Sequence, residues 1–123
     1  MTSRSLVSVV DDDESVRESL PHLLERFGFA AQAFASAEEF LASQFVTQTK
    51  CLILDIAMPG MSGPALQAEL SRRRQAIPIV FITAHADDTV RPRLLESGAV
   101  DCLFKPFSSA ALREAVNAAL HVE

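Results

Sequence analysis

Cys51-Leu52-Ile53-Leu54-Asp55-Ile56-Ala57-Met58-Pro59-Gly60-Met61-Ser62-Gly63-Pro64 decides the fold. Its first four residues are a short apolar run bounded by turn signals, the pattern of a strand buried on both faces. Asp55 stops the run. Met58 to Pro64 is the richest turn segment in the chain, and its final proline suits the first turn of a helix. A buried strand, a charged residue at its carboxyl end, a turn and a helix start make one βα unit of a parallel sheet.

The same unit recurs on both sides of this stretch. Leu6 to Val10 is a buried strand ending at Asp11-Asp12-Asp13, and Val16, Leu20, Leu24 and Phe27 then recur at helical spacing up to Gly28. Pro21 lies inside that helix and is expected to kink or restart it. Ala30 to Ala35 reads as a weaker strand. A helix follows from about Ser36, where Ser36 and Glu39 form a capping box in which Glu39 reaches back to the cap. Downstream, Ile79 to Ile82 is a strand ending at Thr83, followed by a helix near Asp88 to Glu96 that Gly98 closes and Pro92 disturbs. Cys102 to Phe104 is the fifth strand, ending at Lys105-Pro106. Leu112, Ala115, Val116, Ala119 and Leu120 mark a last amphipathic helix after Ser108 and Ser109. Five such units predict an α/β domain with a parallel sheet and helices on both faces.

Composition narrows the function. The 123 residues suit one domain, and sixteen Asp and Glu against eleven Lys and Arg leave a net charge of −5. That balance argues against direct binding to a nucleic-acid backbone. Arg72-Arg73-Arg74, the one basic run, reads as a solvated helix C-terminus. The apolar runs are too short to cross a membrane, and Met1-Thr2-Ser3-Arg4 does not open a signal peptide, so a cytoplasmic location is expected. Cys51 and Cys102 fall on strands separated by a third. That gap of roughly 9–10 Å exceeds the ~7 Å limit for a disulfide, and reduced thiols are expected.

Chemistry concentrates where the strands stop. Asp11-Asp12, Asp55, Thr83 and Lys105 each end an apolar strand, and in a parallel sheet all these ends share one edge, where ligands bind. Each alone is an ordinary turn or cap residue; together they form a site with three carboxylates, a hydroxyl and an ammonium. Three close carboxylates call for a hard divalent cation, and Mg²⁺ suits carboxylates combined with phosphate oxygens. Asp55 is placed as a carboxylate nucleophile for a phosphoryl group whose oxygens Thr83 and Lys105 would contact. Asp13 and Glu14 are assigned to the N-terminus of the first helix.

Val9-Val10-Asp11-Asp12, Leu54-Asp55 with Met58-Pro59-Gly60-Met61-Ser62-Gly63, Ile82-Thr83-Ala84 and Lys105-Pro106-Phe107 resemble the response-regulator receiver domains of two-component signalling. The resemblance runs from about Leu6 to Leu120 and implies a single receiver domain over residues 1–123 with its core at about 5–120. It also implies a flavodoxin-like, doubly wound (βα)5 fold with a five-stranded parallel sheet in the order 2-1-3-4-5. By position, Asp55 resembles the phosphoacceptor, and Asp12 and Asp55 the direct Mg²⁺ ligands, with Mn²⁺ as a substitute. The Ala57 carbonyl matches the backbone ligand, and Asp11 a ligand acting mainly through water. Thr83 and Lys105 match the residues that contact the phosphoryl oxygens. Pro59 and Gly63 shape the loop beneath the site, and the bond before Pro106 is typically cis in such proteins. Ala57 and His85 stand at positions that tune phosphate lifetime. The sequence departs from the family at Cys102, where an aromatic switch residue is usual. Phe104, two residues on, is assigned to packing.

The expected function is a phosphorelay switch, not an enzyme turning over a free substrate. Haloacid-dehalogenase-like phosphotransferases need a second acid two residues after the nucleophile, where this chain has Ala57. A phosphorylation-independent adaptor is the remaining alternative. The implied partners are a sensor histidine kinase and a DNA-binding output domain in a longer parent or a separate effector. A phosphorylation-dependent homodimer is a further expected state, with no direct nucleic-acid or membrane partner. The segment Phe34-Ala35-Ser36-Ala37-Glu38-Glu39-Phe40-Leu41 most resembles receivers that precede a helix-turn-helix domain. The chain is therefore read either as a stand-alone regulator or as a receiver excised from a longer one.

Overall fold

Four short polar side chains set where helices begin in the computed structural model, which describes residues 4–85 and 87–121. The Met1-Thr2-Ser3 start lies outside the described residues. Asp13 accepts a hydrogen bond from the Ser15 N–H, Ser36 from Glu39, Ser62 from Ala65 and Ser108 from Ala111. Each satisfies a backbone donor that a helix start leaves free. The helices they open are α1 (Glu14–Arg26), α2 (Ala37–Leu41), α3 (Gly63–Arg72) and α5 (Ser109–Leu120). The remaining helix, α4 (Val90–Glu96), begins at Thr89 with no side-chain cap.

Between them run β1 (Leu6–Val10), β2 (Ala30–Phe34), β3 (Thr49–Asp55), β4 (Ile79–Thr83) and β5 (Asp101–Phe104), and a 3₁₀ turn at Val46–Gln48 precedes β3. All pairings are parallel and the order is β2-β1-β3-β4-β5, as expected. Alternation along the central strands divides the core between two faces. Leu52, Leu54, Ile79, Phe81 and Cys102 pack under α2, α3 and α4 with Phe40, Leu66, Leu70 and Leu94. Cys51, Ile53, Val80 and Ile82 pack on the other face with Leu20 and Leu24 of α1 and Leu112 and Val116 of α5. Cys51 and Cys102 thus face opposite sides of the sheet, and both are free thiols.

Three local expectations are corrected. Pro21 does not restart its helix: α1 runs unbroken from Glu14 to Arg26, with Leu20 and Leu24 buried on the sheet either side of the missing donor. Pro92 is not disruptive, because α4 begins at Val90 and its third residue has no intrahelical acceptor to lose. In the capping box at Ser36 only the forward bond forms, to the Glu39 N–H at 3.0 Å; among the described residues the Glu39 carboxylate makes no return bond. The strands also extend beyond their apolar runs, β3 back to Thr49 and β5 back to Asp101. Thr49 enters because its hydroxyl is satisfied inside, bonding to the buried Ser8 hydroxyl at 2.7 Å and to the Phe45 carbonyl.

Gly28 and Gly98 close α1 and α4 with φ of 99° and 106°, as the sequence predicts. The arginine run is the expected helix end: Arg72 and Arg73 both pair with Glu69 on the exposed end of α3. Among the described residues no helix is long and apolar enough to cross a membrane.

Candidate functional site

Sheet order gathers the site. β1 and β3 are neighbours with Val10 opposite Leu54, so Asp11 and Asp55 leave the sheet side by side. β3 and β4 pair Asp55 with Ile82, and β4 and β5 pair Thr83 with Phe104, which brings Thr83 and Lys105 to the same edge. The site lies where the sheet order reverses between β1 and β3.

One carboxylate oxygen from each of Asp11, Asp12 and Asp55 falls within 4.8 Å of the others, close enough to share a single ion. Their settings differ. Asp11 is fully buried and Asp55 is 7% exposed, whereas Asp12 is exposed to solvent. Lys105 Nζ donates to Asp11 Oδ2 at 2.9 Å, and the Asp13 N–H donates to Oδ1, also at 2.9 Å. Arg17 reaches from α1 to donate to the Asp11 carbonyl at 3.1 Å. Both oxygens of the buried carboxylate therefore have partners, as burial of a charge requires. Asp13 turns away to cap α1, its pKa lowered by the side-chain and backbone bonds of Ser15, which matches its assigned role.

Asp55 carries the largest strain in charge. Burial and then the Asp11 carboxylate push its pKa up to about 7, while the Lys105 ammonium pulls the other way. Burial works against the charged form of Lys105, but the hydrogen bond and charge of Asp11, helped by Asp55 and Asp13, hold its pKa above the usual lysine value. Negative charge is thus in excess at the cluster, and these oxygen donors fit a small divalent cation.

The loop after Asp55 is tightly built. The Ile56 N–H donates to the Ile82 carbonyl at 3.2 Å, and the Gly63 N–H closes the loop on the Ile56 carbonyl at 2.9 Å. A side chain at Gly63 would collide with the Asp55 carbonyl oxygen and come within 3.1 Å of Ile56 Cα, so only glycine admits this approach. Met58 is buried beneath the loop while Ala57 and Pro59 are exposed. Gly60 has φ of 74°. The Lys105–Pro106 bond is cis.

Thr83 is 3% exposed, and its hydroxyl accepts from the His85 N–H at 3.1 Å. The Lys105 N–H donates to the Thr83 carbonyl at 2.7 Å, which locks the two strand ends together. His85 itself is exposed. Cys102 is buried in the face under α4, with Phe104 packed against the same cluster. Asp11, Asp12, Asp55 and Lys105 thus meet at one end of the sheet, with Thr83 at the adjoining strand end. Sequence reasoning missed Arg17 and Glu38. Glu38 accepts from the Met61 N–H at 3.2 Å across 23 residues, and neither bond has a signature in sequence spacing.

Known proteins resemble this chain in sequence and fold. Residues 7–117 match the model of the response regulator receiver domain. The chain is 45% identical over 118 residues to nodulation protein W of Bradyrhizobium diazoefficiens, covering 96% of this chain and 52% of that protein. It is 40% identical over 114 residues to the transcriptional regulatory protein FixJ of Azorhizobium caulinodans, covering 93% and 54%. The chain spans about half the length of the curated relatives it matches. Among solved structures, FixJ-N superposes with a TM-score of 0.85 at 37% identity, covering 100% of this chain and 98% of that one. The response regulator StyR superposes with a TM-score of 0.87 at 46% identity, covering 96% and 60%.

Proposed function

The chain belongs to the response regulator receiver family, and from that membership we propose that Asp55 accepts a phosphoryl group from the phosphohistidine of a sensor histidine kinase. The observation that supports this most directly is the cluster of Asp11, Asp12 and Asp55 at the end of β3, with the Lys105 ammonium beside it. An Asp55 carboxylate oxygen attacks phosphorus, the O–P bond forms, and the P–N bond breaks with its electron pair leaving on the kinase imidazole. Mg²⁺, or Mn²⁺ in its place, is held by Asp11, Asp12, Asp55 and the Ala57 carbonyl, and when bound it offsets the negative charge of the phosphoryl oxygens. Lys105 and Thr83 donate to those oxygens, which obliges Lys105 to loosen its hold on Asp11.

That exchange is the origin of the switch. A Thr83 hydroxyl turned toward a phosphoryl oxygen gives up the His85 N–H, which frees the start of the β4–α4 loop. The change spreads over the face formed by α4, β5 and α5. Cys102 leaves that face without an aromatic rotamer to swing. Ala57 offers no side chain to hold an attacking water, and His85 is exposed and is not among the grouped carboxylate ligands. We place the protein in the cytoplasm. Output passes through a DNA-binding domain of a longer parent or a separate effector, with phosphorylation-dependent pairing of two copies as the coupling step.

Incubation with Mg²⁺ and acetyl phosphate tests the reading. The intact protein should gain the mass of one phosphoryl group, hydroxylamine should remove it, and prior chelation of the metal should prevent it. A wild-type protein that stays unmodified overturns the proposal.

The raised pKa of Asp55 adds a pH dependence. A cation must displace the proton that Asp55 holds below about pH 7. Apparent Mg²⁺ affinity measured by calorimetry should therefore be about tenfold weaker near pH 6 than near pH 8. Equal affinities would show that Asp55 is not a ligand.

A further inference from the structure

We propose that Glu38 is a positioning residue for the metal and phosphoryl site, holding the tip of the β3–α3 loop from the neighbouring helix α2. The inference rests on the reading of the acidic cluster as a Mg²⁺ site and extends it to a residue on another element. Glu38 Oε2 accepts a hydrogen bond from the Met61 N–H at 3.2 Å. A second observation puts the same oxygen against the loop: a side chain on Gly60 would come within 2.8 Å of Glu38 Oε2. Gly60 is in the left-handed region, and there glycine both permits the turn and leaves room for the carboxylate.

The loop from Ile56 to Gly63 is otherwise fastened at its two ends and by the packing of the Ile56, Met58 and Met61 side chains. Its ends meet where the Gly63 N–H bonds the Ile56 carbonyl, and Met58 is buried beneath it. Among the described residues no other hydrogen bond reaches Pro59, Gly60 or Met61, and the Ala57 carbonyl depends on the loop between Ile56 and Met58 keeping one conformation. Glu38 supplies the missing fastening. α2 can act as an anchor because it is itself tied down: Ala37 and Phe40 are fully buried, Phe40 meets the Phe34 ring edge-on at 5.3 Å, and Ser36 caps its start. The Phe34 to Leu41 segment thus gains a task that its position on the far side of β1 does not suggest: it carries a carboxylate to the tip of the β3–α3 loop. The carboxylate also places a fourth negative charge near the loop without entering the cluster.

Two variants and two readouts separate this role from a plain surface contact. In metal-free protein, amide exchange at Met61 should speed up about fivefold in Glu38→Ala, the loss of one charge-assisted bond at an exposed site. It should stay near the wild-type rate in Glu38→Gln, whose side-chain oxygen still accepts. Calorimetric titration with Mg²⁺ alone should show affinity weakened about threefold to fivefold in Glu38→Ala and restored in Glu38→Gln. Unchanged exchange at Met61 in Glu38→Ala overturns the proposal, as does faster exchange with unaltered Mg²⁺ affinity. Asp12→Asn serves as the control for the underlying reading: if wild type and Asp12→Asn bind Mg²⁺ alike, the cluster is not the metal site and the fault lies there. Loss of binding in Asp12→Asn with no effect of Glu38→Ala isolates the failure to the clamp.

Discussion

Asp55→Asn is expected to lose acyl-phosphate labelling by roughly a thousandfold or more, and at the same time to become more stable than the wild type in metal-free buffer. The first effect follows from removing the nucleophile, since an amide of the same shape has no carboxylate oxygen to form the O–P bond. The second follows from the charge excess. Burial and the Asp11 charge raise the folded-state pKa of Asp55 from 3.8 to about 7. A raised carboxylate pKa means that the folded state holds the proton more tightly than the unfolded chain. Stability therefore falls as pH rises from about 4 to about 7 and is lowest above that window. Asp55 is only 7% exposed, but relaxation of the site around the charge takes up part of the cost, so the penalty at pH 8 is set at about 1–2 kcal/mol rather than the full value of the shift. The neutral amide of the variant does not carry this penalty, and the midpoint of thermal unfolding should rise by about 3–8 °C near pH 8. Near pH 5 the gain should shrink to about a third, and it should vanish only below about pH 4, where the unfolded chain is protonated too. Mg²⁺ should also erase it by stabilising the wild type alone. Melting curves at two pH values, with and without Mg²⁺, check all of this; a variant no more stable at pH 8, or equally stabilised at pH 5, contradicts it.

The pattern of success in reading the sequence has a physical basis. β3 and β4 were legible because strands buried on both faces are nearly continuous apolar runs, and Asp55 and Thr83 were legible as the first polar groups after them. Adjacency of Asp11, Asp55 and Lys105 followed from a parallel sheet, which brings all carboxyl ends to one edge. Helix interiors were harder. Pro21 reads as a kink or a restart, yet packing of Leu20 and Leu24 on the sheet outweighs one lost hydrogen bond. Pro92 is harmless because the helix begins two residues later than the spacing suggests, which puts the proline in its first turn. Among the described residues the Glu39 return bond does not form, and it is the neighbouring Glu38 carboxylate that accepts from a distant donor, the Met61 N–H. Contacts of that kind, like Arg17 on the Asp11 carbonyl, join residues that no local pattern relates. What a sequence conceals is which long side chain settles on which remote backbone group.

Lys105→Met should be the most destabilising single change at the site, and a metal ion should repair it. The ammonium lies 2.9 Å from a carboxylate oxygen of fully buried Asp11, and it is the cation that opposes three clustered carboxylates. Methionine keeps much of the side-chain volume, so the change removes charge more than packing. An uncompensated buried carboxylate typically costs 3–5 kcal/mol; Lys105 is only partly buried and Asp12 is solvated, so about 3 kcal/mol is expected here. The midpoint should fall by roughly 10 °C in metal-free buffer. Because the folded-state pKa of Lys105 lies above its ordinary 10.5, its contribution is fully present below about pH 10 and is lost only as pH rises through the raised value. The deficit should therefore be the same near pH 8 and near pH 9. Saturating Mg²⁺ should restore most of the lost stability by taking over the charge. Adding Asp11→Asn should also restore it, since the two residues then lose a shared interaction only once. Labelling should not recover with either repair, because no other side chain replaces the donor to the phosphoryl oxygen. A fall of about a hundredfold in labelling rate is expected even at saturating Mg²⁺. Equal labelling of Lys105→Met and wild type would show that Lys105 serves the resting site alone. A stability deficit that Mg²⁺ leaves untouched would show that the three carboxylates do not share an ion.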